Sequence, residues 1–262
     1  MCLYGTSLFW RHSLHKPLYP QEDETIEDLQ LAGLSLIQKK NAFRYGMDSV
    51  LLADFADIHP NDITCDFGTG NGILPLLLIG RGKGLFFHAF EILDESAELA
   101  IRNVKLNRLE DRIRIIHDDV SSASDYLDCC SIDSIICNPP YSHPMSAMIS
   151  PNEKKATARI QRPDTLNSMF RAAFLLLKGK GKIFLVYPAA QMLIIMKKLQ
   201  EYHLEPKRFR LVYPTLQKPA NLVLIEAVKD AKQMLHPMPP LVVYEGNGVL
   251  TSELKSVYHI ME

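Results

Sequence analysis

The sequence predicts an α/β fold in which a mostly parallel sheet carries helices on both faces and ends in an antiparallel hairpin. From about residue 62, short apolar runs alternate with amphipathic stretches, and strand and helix in alternation imply right-handed crossovers onto a parallel sheet. A glycine-rich turn at 66–72 separates the first such run from the first such helix. The last two runs, 209–213 and 222–227, lie too close for a crossover helix and are expected to pair as a hairpin.

Taken in order, residues 63–67 form a buried strand, 74–79 the body of a helix after the turn, and 85–91 a second strand. Asp94 is expected to cap a helix reaching about Asn107, with Ala97, Ala100, Ile101 and Val104 on its apolar face. Runs 113–116 and 132–137 supply two more strands. A helix over 165–177 is expected to stop at the turn Lys178-Gly179-Lys180-Gly181, followed by a strand at 183–187 and a helix over 190–202. Upstream, 34–38 reads as a strand, 41–46 as a turn, and Asp48 as the cap of a helix through Phe55. No repeat, low-complexity tract or Gly/Ser linker divides the chain. Residues 25–262 are therefore expected to be one domain, with 25–61 as its lid or wall and 1–24 as an irregular extension.

A chain of 262 residues that is 47% hydrophobic and 23% charged has material for a sizeable core, which excludes disorder as its main state. The five cysteines form no CxxC pair and no Cys/His cluster with zinc-ligand spacing; a reducing cytoplasm and no metal are expected. Cys65 and Cys137 read as strand-packing residues, and His88 as a buried, hydrogen-bonded histidine. Arg11, His12, His15 and Lys16 stand where a signal peptide needs its apolar core, and no apolar run approaches the roughly 18 to 20 residues that span a bilayer.

The net charge of -1 conceals a segregation. Residues 1–150 hold 12 basic and 21 acidic side chains, 151–210 hold 13 and 4, and 211–262 hold 4 and 5. Such a distribution suits one face that meets a polyanion, with an unevenly charged solvated surface as the plainer alternative. Lys154, Lys155, Arg159 and Arg162, with Lys207, Arg208 and Arg210 further on, are the expected contacts of such a polyanion's phosphates.

In Asp66-Phe67-Gly68-Thr69-Gly70-Asn71-Gly72, alternate glycines clear the approach of a nucleotide-sized ligand to a helix N-terminus. The spacing is GxGxG, not the GxGxxG of dinucleotide sites. Glu91 ends the next strand, where a carboxylate can accept both hydroxyls of a ribose, and Asp118 and Asp119 end the third, where an Asp can meet an adenine amino group. Asn138-Pro139-Pro140-Tyr141 follows the strand at 132–137. Its prolines make a rigid ledge rich in acceptors. The Asn138 side-chain oxygen and Pro139 carbonyl can accept both N–H bonds of a planar amino group, and Tyr141 can stack on the attached base. Two acceptors favour a more pyramidal nitrogen with its lone pair free to attack, so positioning and electrostatics suffice without a covalent intermediate. His117 and His143 border this region but no proton abstraction before transfer requires them, and Met145 and Met148 read as loop contacts.

The 66–72 turn followed by Asn138-Pro139-Pro140-Tyr141 resembles the class I, S-adenosylmethionine-dependent N-methyltransferases. That resemblance implies a Rossmann-like, mostly parallel seven-stranded sheet with a C-terminal antiparallel hairpin. It implies S-adenosylmethionine held by Asp66, Gly68, Gly70, Gly72, Glu91, Asp119 and Asn138, with Asn138, Pro139 and Tyr141 catalytic. Gln38, then Phe43-Arg44-Tyr45-Gly46-Met47-Asp48-Ser49-Val50-Leu51-Leu52-Ala53, with Pro239-Pro240-Leu241, is similar to the bacterial tRNA (adenine-N6)-methyltransferases that modify the adenine next to the anticodon of a valine tRNA. In that family the segment matching 44–49 lies over the cofactor pocket, which implies a wall role and a cofactor contact for Arg44, with tRNA as partner. Where the family often carries Ala-Arg-His-Glu, this chain has Ala158-Arg159-Ile160-Gln161. Two alternatives share the fold. A glutamine-N5 methyltransferase of release factors grips its amide with the same tetrapeptide, but it brings a helical substrate domain for which the 65 residues before Asp66 leave little room. A noncatalytic RNA-binding protein would be expected to have lost Gly68, Gly70 or Asn138.

Overall fold

β3 (Ile63–Phe67) has no solvent face: Thr64, Cys65, Asp66 and Phe67 are all buried, as a parallel strand covered on both sides must be. The computed structural model, which describes residues 20–40, 46–139 and 165–259, places this strand between β4 (Phe86–Glu91) and β6 (Ile132–Cys137), parallel to both. β5 (Ile113–His117) pairs with β4, and β7 (Leu177–Pro188) pairs with β6, again in parallel. Beyond them β9 (Leu222–Lys229) runs antiparallel to β7 and to β8 (Leu204–Tyr213). The two-residue strands β10 (His236–Pro237) and β11 (Leu241–Val242) join β8 to complete a 9-stranded sheet. Its seven longer strands are the expected mostly parallel sheet with an antiparallel end.

Alternate side chains feed two cores, as the strand period of two requires. Ile136, Phe184, Val186 and Leu224 pack with α1 (Met47–Phe55), α2 (Ile73–Gly80) and the last helix, Ser252–Val257. Val104 of α3 (Asp94–Leu106) joins them. Cys65, Phe67, Ile135, Cys137 and Leu185 face the other way, against α4 (Thr165–Leu176) and α5 (Met192–Glu201). The Ser252–Val257 helix is α6.

Several boundaries differ from the sequence reading. Gly46, not Asp48, caps α1, and Asp48 lies in the first helical turn, where its charge suits the helix dipole. Leu93 stands at the cap of α3, which leaves the Asp94 carboxylate free to meet His117 at 3.0 Å. The Lys178-Gly179-Lys180-Gly181 stretch is no turn after a helix but the irregular start of β7, where Leu177 faces Ile132 and Lys182 already faces Ser134. Ion pairs of Lys178 with Asp133 and of Lys182 with Asp57 hold this bulge against the sheet. A 3-10 turn, Ala189–Gln191, precedes α5, and β8 begins five residues before the expected Phe209.

The chain ahead of α1 forms a separate hairpin of β1 (Glu24–Asp28) and β2 (Ser35–Lys39). It is tied to α3 by polar contacts. Arg102 meets Glu24 in a two-pronged bond at 2.8 and 2.7 Å, with the two side chains 5% and 2% exposed. The carboxamides of Asn103 and Asn107 bond the backbone of Ile37 and Ser35.

Removing one partner of a buried pair strands the other charge. Glu24→Ala is therefore expected to lower stability in urea by about 3 to 5 kcal/mol, and adding Arg102→Met should restore part of the loss. A double variant less stable than Glu24→Ala would show that the pair is not what holds the hairpin.

Candidate active site

Phe67 stands opposite Phe90 on one side and Cys137 on the other. Residues 68–72, 91–93 and 138–139 therefore leave the sheet side by side at its carboxyl edge, where open α/β sheets bind ligands. The turn is built on left-handed glycines, with φ of +75° at Gly68 and +59° at Gly70. A Cβ at either would meet nothing within 4 Å, so the space above them is open to a ligand. Gly72, at φ +86°, faces Ala100 at 3.6 Å and serves the packing of α2 on α3. Phe90 holds the base of the turn, its carbonyl accepting from the amides of Gly68 and Thr69 at 3.0 and 2.9 Å.

Glu91 is 6% exposed. Its two oxygens accept from the Gly70 and Leu93 amides at 2.8 and 2.9 Å, which leaves carboxylate lone pairs for further donors. Burial raises its pKa above the usual range, with those amides and His117 opposing. Asp66 is fully buried, and neither of its oxygens meets a donor at hydrogen-bond geometry. Burial raises its pKa from 3.8 to about 7; the neighbouring Thr69 hydroxyl draws it back and the Glu91 charge adds to it. Among the described residues no lysine or arginine pairs with either acid, and two buried acids so placed are costly in the ionised form.

Asp119 lies just past β5 and caps the 3-10 helix Val120–Asp125, one oxygen accepting from the Ser121 amide at 2.8 Å. Asp118 accepts from the Tyr126 hydroxyl at 2.7 Å. Asn138 is half-buried at the end of β6, with Pro139 buried behind it. The Asn138 amide nitrogen faces Ser49 Oγ of α1 at 3.4 Å, so α1 walls the site and the amide oxygen is left to face elsewhere. Arg44, Tyr141, His143, Met145, Met148, Lys154, Lys155, Arg159 and Arg162 lie outside the described residues.

Some sequence assignments fall away. Arg208 is committed to Glu226 at 2.7 Å and to the Phe55 carbonyl and ring. Arg210 is committed to Glu253 at 2.6 Å and to the Pro239 carbonyl, and Lys207 to the Lys232 carbonyl. Arg208 and Arg210 hold the far edge of the sheet together and are not free phosphate contacts, whereas Lys207 meets a neutral carbonyl that leaves its charge in place. His88 is half-buried against the Phe86 ring, but its Nδ1 has no hydrogen-bond partner, and burial lowers its pKa. Cys65 and Cys137 are packed as expected, and burial raises both thiols well above their usual range.

Sequence reasoning gave 44–49 a wall role without singling out Ser49, and it missed Asn103 and Lys83, whose ammonium donates to the carbonyls of Ala53, Asp54 and Ala56 and so caps α1. A groove of about 480 Å³ does lie elsewhere, at the amino ends of β3 and β6, lined by Asp57, His59, Asp133 and Lys178 to Lys182. Its three lysines are already bonded to Asp133, the Asp230 carbonyl and Asp57, and it is at the wrong end of a parallel sheet for a ligand.

A methyltransferase small domain matches residues 46–203, the span that carries the turn, Glu91, Asp119 and Asn138. The chain belongs to this family. A tRNA1(Val) (adenine(37)-N6)-methyltransferase of Trichodesmium erythraeum is 30% identical over 73% of this chain and 80% of its own length. A protein of the same name from Dyadobacter fermentans is 28% identical over 81% and 87%. Among solved structures, a predicted O-methyltransferase of Agrobacterium tumefaciens superposes with a TM-score of 0.65 at 20% identity, covering 81% of this chain and 96% of that one. TYW2 of M. jannaschii in complex with AdoMet gives 0.54 at 16% identity, covering 81% and 89%; both likenesses are of fold. Among the described residues, no helix is long and apolar enough to cross a membrane.

The protein is thus an S-adenosylmethionine-dependent methyltransferase with a Rossmann-like fold, and the site fits that cofactor. The orphaned Asp66 carboxylate suits a ligand that carries an ammonium group. Open space over Gly68 and Gly70 suits close approach to backbone, and spare lone pairs on Glu91 suit ribose hydroxyls.

The acids give the free protein a pH signature. Below pH 3.8 Asp66 is protonated in both folded and unfolded chains; between 3.8 and about 7 only the unfolded chain releases the proton. Stability should fall as pH rises through that window and level off above it. Asp66→Asn is expected to shrink the slope, read as thermal midpoint against pH, leaving the smaller contribution of Glu91. A variant with the parent's slope would remove Asp66 as its source.

Proposed function

We propose that this enzyme transfers a methyl group to the exocyclic N6 of an adenine in tRNA, close to the anticodon. The observation that carries the reading is the placement of Asn138 and Pro139. They leave β6 beside the glycine turn of β3, and the Asn138 amide nitrogen is occupied by Ser49. An amide held by its nitrogen presents its oxygen, and an acceptor is what an adenine amino group needs. The likeness to relatives named as tRNA1(Val) (adenine(37)-N6)-methyltransferases, over 73% and 81% of this chain, supports the same substrate.

When bound, S-adenosylmethionine supplies an electrophilic methyl on a positively charged sulfur. In this reading Glu91 would accept from the two ribose hydroxyls, Asp119 from the adenine amino group of the cofactor, and Asp66 from the ammonium end. Asn138 Oδ1 and the Pro139 carbonyl accept the two N–H bonds of the substrate adenine. Its lone pair is thereby turned toward the methyl, and Tyr141 stacks on the ring. The N–C bond would form as the sulfur–methyl bond breaks, the sulfonium leaving as a neutral thioether, and one N–H proton would then pass to water, so no base need remove it first. Acceptors fixed before the reaction need no reorganisation as charge develops on nitrogen, which is how such sites lower a barrier. The Lys154, Lys155, Arg159 and Arg162 run, next in the chain after this ledge, supplies phosphate contacts. Such contacts position an RNA without reading its sequence.

Binding and chemistry should separate by mutation. Glu91→Ala is expected to weaken cofactor affinity by about tenfold or more, through loss of charge-assisted bonds. Asn138→Ala should leave that affinity nearly intact and slow methyl transfer by on the order of 100-fold. Transfer is followed as N6-methyladenosine in nucleosides of unmodified tRNA incubated with the purified enzyme. A methyl product other than N6-methyladenosine would sink the assignment, and so would an Asn138→Ala variant as active as its parent.

A further inference from the structure

Asn103 is a fully buried asparagine on α3, and all of its side-chain bonds go to backbone outside that helix. Its Oδ1 accepts from the Ile37 amide at 2.6 Å. Its Nδ2 donates to the Ile37 carbonyl at 3.0 Å and to the Asn71 carbonyl at 2.9 Å. One carboxamide thus joins β2 of the N-terminal hairpin to the cofactor turn. The second junction matters because Asn71 lies between Gly70 and Gly72, both left-handed. Glycines hold such a shape with no side chain to lock it and the largest entropy cost of any residue. The turn must be held from outside. Phe90 does so at Gly68 and Thr69, and Glu91 does so at Gly70. At Asn71 the holder is Asn103.

Asn107, one helical turn along, provides an internal comparison. It bonds the Ser35 amide at 2.8 Å and the Ser35 carbonyl at 2.7 Å, so it docks β2 in the same manner. Its remaining bond returns to the Asn103 carbonyl and does not reach the turn. Asn103 and Asn107 share the docking function; Asn103 alone of the two extends it to the cofactor site.

We infer that Asn103 is a positioning residue that fixes the glycine turn in its cofactor-binding shape and couples that shape to docking of the β1–β2 hairpin. It acts through Asn71 and touches neither cofactor nor substrate. Coupling of this kind is reciprocal. A docked hairpin should favour cofactor binding, and bound cofactor should tighten the hairpin. The inference rests on the cofactor lying over the glycine turn and is independent of which base is methylated.

Calorimetric titration with S-adenosylhomocysteine, alongside backbone hydrogen exchange of the full chain, tests it. Asn103→Ala should weaken binding by about tenfold, since it removes a buried bond and strands a carbonyl of the turn. Asn103→Asp should do the same, because a carboxylate keeps the Ile37 amide but cannot donate to Asn71. Asn107→Ala should change affinity by less than about twofold, although it loses an equal share of hairpin docking. In the unmutated protein, ligand should slow exchange of the Ile37 and Ser35 amides, a measurement that needs no variant to fold. Equal losses in Asn103→Ala and Asn107→Ala would reduce Asn103 to a docking residue and overturn the proposal, as would β2 exchange that ignores the ligand. A parent protein that binds no S-adenosylhomocysteine would overturn the cofactor placement itself, a different failure.

Discussion

In-phase pairing of three parallel strands is the constraint on which the site depends. Phe67, Phe90 and Cys137 stand level across β3, β4 and β6, and neighbouring strands lie about 4.8 Å apart. The groups that follow them, the glycine turn, Glu91 and Asn138, are thereby delivered to one edge without any loop having to reach. A slip of one residue would turn every side chain to the other face. It would send Phe67 and Phe90 out of the core they share and carry Asp66 and Glu91 away from the turn. The apolar packing of both faces is what forbids the slip, so the core sets the geometry of the chemistry.

The edge so formed is electrostatically strained in the free protein. Asp66 and Glu91 are buried close to each other, and the charge of Glu91 contributes to the raised pKa of Asp66. Backbone amides offset part of the cost at Glu91 but none at Asp66. In the proposed reading a ligand with a cationic end and two hydroxyls relieves both acids at once. Sites that keep such groups unsatisfied retain them for the partner that completes them. The N-terminal chain belongs to the same arrangement. Ser49 of α1 reaches Asn138, and the hairpin ahead of it reaches the glycine turn through Asn103.

Much of this was legible in the chain, and what was not has a common cause. β3 and β6 are short apolar runs flanked by turn residues, and both were read with the boundaries observed. The glycine turn, Glu91 and the Asn138 ledge were found because each sits directly after such a run. The caps expected at Asp48 and Asp94 lie two residues and one residue earlier, at Gly46 and Leu93, since an acidic residue suits the first turn nearly as well as the cap. The stretch at 178–181 looks like a turn because lysine and glycine favour one, and distant Asp57, Asp133 and the Asp230 carbonyl hold it in the sheet. Arg208 and Arg210 read as free charge for the same reason: Glu226 and Glu253 are remote in sequence. Asn103 is a polar position of an amphipathic helix, and nothing local to it in the chain signals that Ile37 and Asn71 meet it. Periodicity reports which face of an element is buried; it does not report which distant polar groups will share that burial.

A crystal structure of the enzyme with S-adenosylhomocysteine tests the central claim most directly. The account predicts both ribose hydroxyls within hydrogen-bond distance of Glu91, the amino acid end above Gly68 beside Asp66, and the sulfur turned toward Asn138. A ligand whose ribose lies away from Glu91, or whose sulfur points away from Asn138, would contradict it.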